Sequence, residues 1–325
     1  MRSAEVIIVG GGPAGSAAAR CLKSAGADVL VLDKERFPRH KLCAGWITPQ
    51  VVSDIEMPSE SYPHGILSFR RLHFHSRPLH FKISCLQHSV RRFEFDAWLL
   101  GRSGAEVAQH TVRQISADGD CFVIDGAFRC CYLIGAGGTS CPVRRSLFTN
   151  SLPHTRGLQT ATLELEFPCD WRDPDCHLWF FEHGLTGYSW YVPKASGWLN
   201  VGVGAMAAHL AKRGEHIRVH WERLATKLER QFGVRLPQRP AGYSYYLRGS
   251  LEGLRSGNAF LTGDSARLAT RDLCEGIGPA IRSGQRAAHA IVSGDPYTLG
   301  DVTRASLGGG LLSRFMDWAF TRGEL

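Results

Sequence analysis

The run Val6-Ile7-Ile8-Val9-Gly10-Gly11-Gly12-Pro13-Ala14-Gly15 decides the fold, read together with the apolar stretch Val29–Leu32 and the acid Asp33 that closes it. Val6–Val9 is short, apolar and β-rich, so it reads as a strand. Ala14–Ser24 reads as an Ala-rich helix that stops near Gly26. Val29–Leu32 is a second strand. Strand, turn, helix and strand within about 30 residues make a βαβ unit. Gly10-x-Gly12-x-x-Gly15 occupies its turn. The first glycine makes the tight turn, the second lets backbone amides approach a pyrophosphate, and the third lets helix and strand pack closely. The helix N-terminus favours phosphate charge. Asp33 can accept hydrogen bonds from ribose hydroxyls, which suits FAD or NAD rather than a 2′-phosphorylated cofactor. The cofactor-binding residues expected here are Gly10, Gly12, Pro13, Ala14, Gly15, Asp33 and the adjoining Lys34.

The chain around this unit has 325 residues, enough for about two domains at roughly 150 residues each. Its 44% hydrophobic and 21% charged residues are ordinary for a globular protein and exclude a disordered, coiled-coil or collagen-like chain. The net charge is +8, carried by 31 Arg and only 7 Lys. The arginines are scattered, with no run of five, so the basicity reads as a solvated surface and not as a nucleic-acid footprint. Ten cysteines occur without any CxxC pair, which argues against a zinc ribbon or a thioredoxin-type site. Cys169, Cys176 and His177 lack a fourth partner, so no metal ligands are assigned. The N-terminus lacks the long apolar core of a signal peptide, and no apolar run approaches the ~20 residues of a membrane span. A cytoplasmic protein with free thiols is the expectation, with peripheral membrane contact left open.

Further along, residues 66–84 alternate as antiparallel strands and 92–103 read as a helix. Residues 105–136 read as short strands around an Asp118-Gly119 turn, and 157–204 as aromatic-rich strands. An amphipathic helix follows at 215–232, with Ile217, Trp221, Leu224 and Leu228 on one face. Ala259–Leu261 is a last strand, leading into Gly263-Asp264, and 277–291 read as a closing helix with Pro279 in its first turn.

The Gly-Asp turn, followed by Glu275-Gly276-Ile277-Gly278 at a helix start, resembles the second FAD motif of the para-hydroxybenzoate-hydroxylase-type flavoprotein superfamily. That resemblance implies FAD as cofactor. It makes Asp264, after Gly263, the ribityl ligand, and Gly276 and Ile277 the amides at the flavin end. Phe37-Pro38-Arg39-His40-Lys41-Leu42-Cys43-Ala44-Gly45 and Tyr188-Ser189-Trp190-Tyr191-Val192-Pro193 are similar to two segments of the geranylgeranyl reductase family. By the same resemblance Arg39, Lys41 and Arg92 attend the cofactor, and Cys43, Trp190 and Tyr191 are the candidate catalytic residues. Two departures matter: Ala44 replaces the first glycine of a usual pair, and Gly137 stands where hydroxylases of the superfamily carry an Asp that assists nicotinamide binding.

The expected fold is α/β: a Rossmann-like, glutathione-reductase-type FAD-binding domain with an inserted antiparallel-sheet substrate domain. The first takes 1–64, 91–154 and 251–325; the second takes 65–90 and 155–250. The expected function is FAD-dependent oxidoreduction of an apolar or aromatic small molecule, first of all reduction of an isoprenoid-like or conjugated C=C bond. A separate reductase or other electron donor is the expected partner, with no nucleic acid. Alternatives are a flavin monooxygenase or halogenase of the same superfamily, the latter needing a pocket lysine such as Lys82, and a non-catalytic flavin-binding protein. The segments 43–46 and 188–193 are expected to converge over one face of the flavin ring.

Overall fold

The computed structural model describes residues 1–57, 62–76, 78–149, 156–307 and 310–321. The chain runs β1 (Arg2–Val9), α1 (Pro13–Ser24), β2 (Val29–Asp33), β3 (Trp46–Ile47), α2 (Pro49–Asp54), β4 (Leu67–Ser76), β5 (Leu79–Ser89) and α3 (Arg92–Arg102). It continues through β6 (Glu106–Gln109), β7 (Ile115–Asp118), β8 (Cys121–Ile124), β9 (Phe128–Gly135), α4 (Pro142–Leu147), β10 (Gln159–Pro168), β11 (Cys176–Phe180), β12 (Gly187–Lys194) and β13 (Trp198–Met206). The last elements are α5 (Ala207–Arg213), α6 (Ile217–Phe232), β14 (Ala241–Tyr246), β15 (Arg255–Ser256), β16 (Ala259–Leu261), α7 (Ile277–Ser293) and α8 (Leu311–Thr321).

These elements form two compact units. The first comprises Met1–Arg39, Phe93–His154 and Tyr246–Gly309. Its sheet has the order β15-β16-β9-β1-β2-β6, with β1 parallel to both β2 and β9. Both faces are covered, which is why β1 and β2 are unbroken apolar runs instead of alternating ones. Val6, Ile8, Val29 and Val31 pack with Ala18, Ala19 and Leu22 of α1 and Ala287 and Ala288 of α7. Ile7, Leu30, Leu32 and Leu133 face the other way, among Val143, Phe148 and Leu261. Each such side chain contributes about 1.5–3 kcal/mol by leaving water. At Gly284 of α7 a Cβ would collide with Ala14 O, so only glycine lets α1 and α7 approach this closely.

The second unit comprises His40–Arg92, Thr155–Tyr245 and Gly310–Leu325. Its sheet has the order β14-β10-β13-β12-β11-β4-β5-β3. β10–β13, β13–β12, β12–β11, β4–β5 and β5–β3 pair antiparallel, whereas β4 and β11 pair parallel. Alternation splits its residues cleanly. On one face lie Leu163, Leu165, Phe167, Leu199, Val201, Val203 and Tyr191, packed on Ile217, Trp221, Leu224 and Leu228 of α6. On the other lie Glu164, Gly202 and Trp190 in one register row, then Leu178, Phe74 and Phe81 along the same row.

The contacts divide the chain differently from the boundaries read in sequence. Residues 40–57 go with the second sheet, because Trp46–Ile47 pair with His88–Ser89 and Val90 N donates to Gly45 O. Helix α8 also belongs there: Phe320 lies 5.8 Å from Phe181 and 6.4 Å from Tyr188, ring to ring. The expected boundary at 154/155 falls outside the described residues.

Candidate active site

The nucleotide cradle is built from backbone. Gly10 has φ +112°, open only to glycine, and a Cβ there would strike Ala136 O in the turn after β9. A Cβ at Gly15 would strike Gly10 O, so the third glycine of the motif closes the turn onto the helix. Pro13 opens α1, where its missing amide costs nothing. Asp33 is buried at the end of β2 and accepts from Gly11 N at 2.7 Å and Glu35 N at 2.9 Å. These bonds hold its carboxylate beside the turn and leave lone pairs for ribose hydroxyls. Lys34 points to solvent with its side chain 71% exposed, beside Glu35.

Gly12 is the open point of the turn, since a Cβ there would meet only Arg39 Nη2, at 3.4 Å. Arg39 bonds Asp96 through Nη2 at 3.1 Å, while its Nη1 is buried without a hydrogen-bond partner. A buried guanidinium donor without an acceptor, beside amides at a helix N-terminus, fits an anion such as the FAD pyrophosphate. At the far end of the cofactor path, Gly263 has φ +56° and donates to Ser283 Oγ at 2.9 Å. A Cβ on Gly276 would lie 3.4 Å from Asp264 Oδ1, so the expected ribityl ligand and the expected flavin-end amide are neighbours. Ile277 is the first residue of α7. Glu275, just before it, accepts from Gly278 N at 2.6 Å; burial pushes its carboxyl up to about 7 against the pull of the Gly278 and Ile277 amides. These residues fit FAD end to end.

The second unit gathers the other expected residues. Trp190 lies across β13, where a Cβ on Gly202 would run into its indole. Its Nε1 donates to Asn200 Oδ1 at 2.7 Å, and Asn200 Nδ2 donates to Cys43 O at 3.3 Å. The Cys43 and Trp190 segments are therefore tied to each other through Asn200. Trp46 is anchored by Nε1 donating to Gln87 Oε1 at 2.8 Å. Tyr191 is a correction. As the neighbour of Trp190 in a strand it points to the opposite face, fully buried, stacked 4.7 Å from Phe232, with its hydroxyl donating to Asp173 O. It is a core residue under α6 and cannot share a substrate wall with Trp190.

Sequence reasoning missed three side chains. Glu164, in the Trp190 register row, is 3% exposed and its Oε1 has no hydrogen-bond partner. Burial pushes its carboxyl up to about 8, despite the opposing pull of Lys194, Lys41 and Arg92. Arg92 and Lys41 thus lie within electrostatic reach of this acid; Lys41 also sits over the Tyr243 ring at 3.2 Å. Lys194 is wholly buried and donates to Ala44 O at 2.7 Å and Val90 O at 2.6 Å, with Glu166 Oε2 at 3.3 Å. Asn200 is the third, the link just described. The visible signal for Glu164 was the alternation in Leu163–Phe167, which by itself reads as a solvent face.

Residues 5–95 match the FAD dependent oxidoreductase family. The menaquinone reductase of Mycobacterium tuberculosis is 27% identical over 337 residues, spanning 90% of this chain and 78% of that protein. Digeranylgeranylglycerophospholipid reductase 1 of Methanopyrus kandleri is 30% identical over 222 residues, 62% of this chain and 57% of that one. A solved geranylgeranyl bacteriochlorophyll reductase-like protein from Thermoplasma acidophilum shares the fold with a TM-score of 0.77 at 20% identity, covering 91% of this chain and 80% of that one. The flavin-dependent brominase Bmp2 does so with a TM-score of 0.71 at 19% identity, covering 91% and 81%. Fold, cradle and relatives together define an FAD-dependent oxidoreductase. Within that class, the chain is similar to proteins named menaquinone reductase, geranylgeranyl diphosphate reductase and digeranylgeranylglycerophospholipid reductase. Among the described residues, no helix is long and apolar enough to cross a membrane.

Proposed function

We propose that this oxidoreductase reduces a C=C bond of an isoprenoid chain, and that the Trp190 face of the second sheet binds that chain. The observation that carries the reading is the joining of Cys43, Asn200 and Trp190, with the buried acid Glu164 in the same register row. FAD, when bound, supplies the hydride. The residues of this face do the rest. The Trp190 indole, fixed by Asn200, presents a rigid apolar surface to the substrate and excludes water. The Glu164 carboxyl, pushed up to about 8 by burial, holds a proton at neutral pH, and either it or the Cys43 thiol donates the proton to the second carbon. Lys194 keeps the Cys43 segment against the sheet by gripping Ala44 O and Val90 O. Gly137, in place of an acid that assists nicotinamide binding in hydroxylases, argues for a separate reductase as electron donor.

The halogenase reading is weaker on position. Lys82 is exposed and pairs in register with His73, on the sheet face opposite Trp190. The buried Lys194 is held by two carbonyls and Glu166. The test is anaerobic turnover of the dithionite-reduced holoenzyme with geranylgeranyl and polyprenyl-quinone substrates, followed by mass. A gain of two hydrogens supports the proposal. Oxygen or halide incorporation in air, without such a gain, supports the monooxygenase or halogenase reading. No turnover of any substrate favours a flavin-binding protein without catalysis.

A further inference from the structure

The sheet face opposite Trp190 carries a second polar cluster. Register rows place His73 beside Lys82 and His177, and His75 beside His80 and Trp179, across β5, β4 and β11. His73, His75 and His80 each offer a nitrogen within 4.8 Å of the others. The rings crowd: His75 and His80 stack at 4.3 Å, and His73 and His177 centroids lie 4.2 Å apart. His75 Nε2 and His177 Nδ1 share a hydrogen bond at 3.1 Å.

We propose that His73, His75 and His80 bind a divalent transition-metal ion of the zinc type, with His177 available as a fourth ligand. Four imidazoles in one patch suit such an ion by donor type. Two of the rings already carry the carboxylate partner that metal-binding histidines use to fix their orientation. His73 Nε2 bonds Asp175 Oδ2 at 3.0 Å, leaving Nδ1 for an ion, and His177 Nε2 bonds Asp173 Oδ2 at 3.0 Å, leaving its Nδ1 directed at His75. A pocket of about 190 Å³, lined by His75, His80, Trp179, Glu182 and Lys227 among others, opens onto the pair and gives an ion a way in. Of the cations nearby, Lys227 pairs with Glu182 and Arg71 lies 3.4 Å from Asp175, while the exposed Lys82 stands beside His73. Nitrogens at 2.0–2.1 Å from one ion sit about 3.3 Å apart, so the widest separation in the set must contract by up to about 1.5 Å. His80 is exposed and has room to make that movement. The ion would clasp the β4–β5 hairpin to β11 and stabilise the second unit by mass action.

The test uses the tag-free FAD-loaded full chain, titrated with Co²⁺ and Zn²⁺. One equivalent of Co²⁺ should bind with visible d–d bands, and Zn²⁺ should displace it and raise the melting temperature. Trp179 stacks 5.3 Å from His75, so Co²⁺ should quench part of the tryptophan emission, a part missing in Trp179→Phe. His80→Ala removes an exposed ring and should fold normally, yet weaken binding more than tenfold. Asp175→Asn should weaken it roughly 10–100-fold. His209→Ala, on α5, should change nothing. Absence of binding by the wild-type chain, or one-equivalent binding unchanged in His80→Ala, overturns the proposal.

Discussion

The glycine cradle and the Trp190 face are built by opposite means. The cradle is almost all main chain: amides at the start of α1, a turn that tolerates no Cβ at Gly10 or Gly15, and two carboxylates fixed by nearby backbone. The Trp190 face is almost all side chain: Glu164, Asn200, Trp190 and Lys194 come from three strands, and Cys43 from a segment about 150 residues earlier. Main-chain sites depend on conformation and fail when a Cβ intrudes. Side-chain sites depend on register and charge, and they fail group by group.

The largest effect should come from the cradle. Gly12→Val adds bulk where only Arg39 Nη2 stands, so the chain should fold but purify without bound FAD. A yellow Gly12→Val protein of normal flavin content would remove the distinction between the two regions. Next, Glu164→Gln should keep full flavin content but lower turnover roughly 10²-fold, and should delete any loss of activity with an apparent pKa near 8. If turnover and its pH profile are unchanged, Glu164 is a structural acid and Cys43 alone carries the proton. Third, Lys194→Met leaves Ala44 O, Val90 O and Glu166 without their cation. Breaking such a buried set should cost about 3 kcal/mol in chemical denaturation, with the cradle's FAD affinity little changed. An equal fall in flavin affinity would show that the two regions are not separable. The smallest effect is a slope. Glu164 has a folded pKa raised above its unfolded value, so its stability contribution is complete below about pH 4.5 and is lost as pH rises through about 8. Wild type should therefore lose stability relative to Glu164→Gln across that window, by at most about 1.4 kcal/mol per pH unit. Parallel stability curves for the two proteins would put the Glu164 carboxyl in water.

The same contrast explains what could be read in advance. The βαβ unit, Asp33, the Gly263-Asp264 turn and α7 are local, because each motif carries its own strand, turn or helix signal. Within the second unit Asn200 ties the Cys43 and Trp190 segments together, and in sequence it is only one polar residue of a glycine-rich strand. Placing Tyr191 beside Trp190 on one wall runs against the strand's own rule: once 187–194 is a strand, consecutive residues face opposite ways. Glu164 went unseen because polar alternation in a strand is read as exposure, and here both faces are covered. The histidine cluster had half a signal, His73-x-His75 followed by His80. Its other half lies 102 residues beyond His75, brought alongside by a parallel pairing that no local pattern announces.

That parallel pairing also has a cost in time. β4 and β5 leave the ribosome as a hairpin, but β11, which covers their open edge, follows only after the long excursion through α3 to α4. At 5–20 residues per second the hairpin waits about 5–20 s, with Phe74 and Phe81 on one flank and an unpaired strand edge on the other. β1 waits longer still for its sheet to be completed by β9 and β16. Biogenesis of this chain is therefore post-translational in character: neither sheet can close until most of the polypeptide is made.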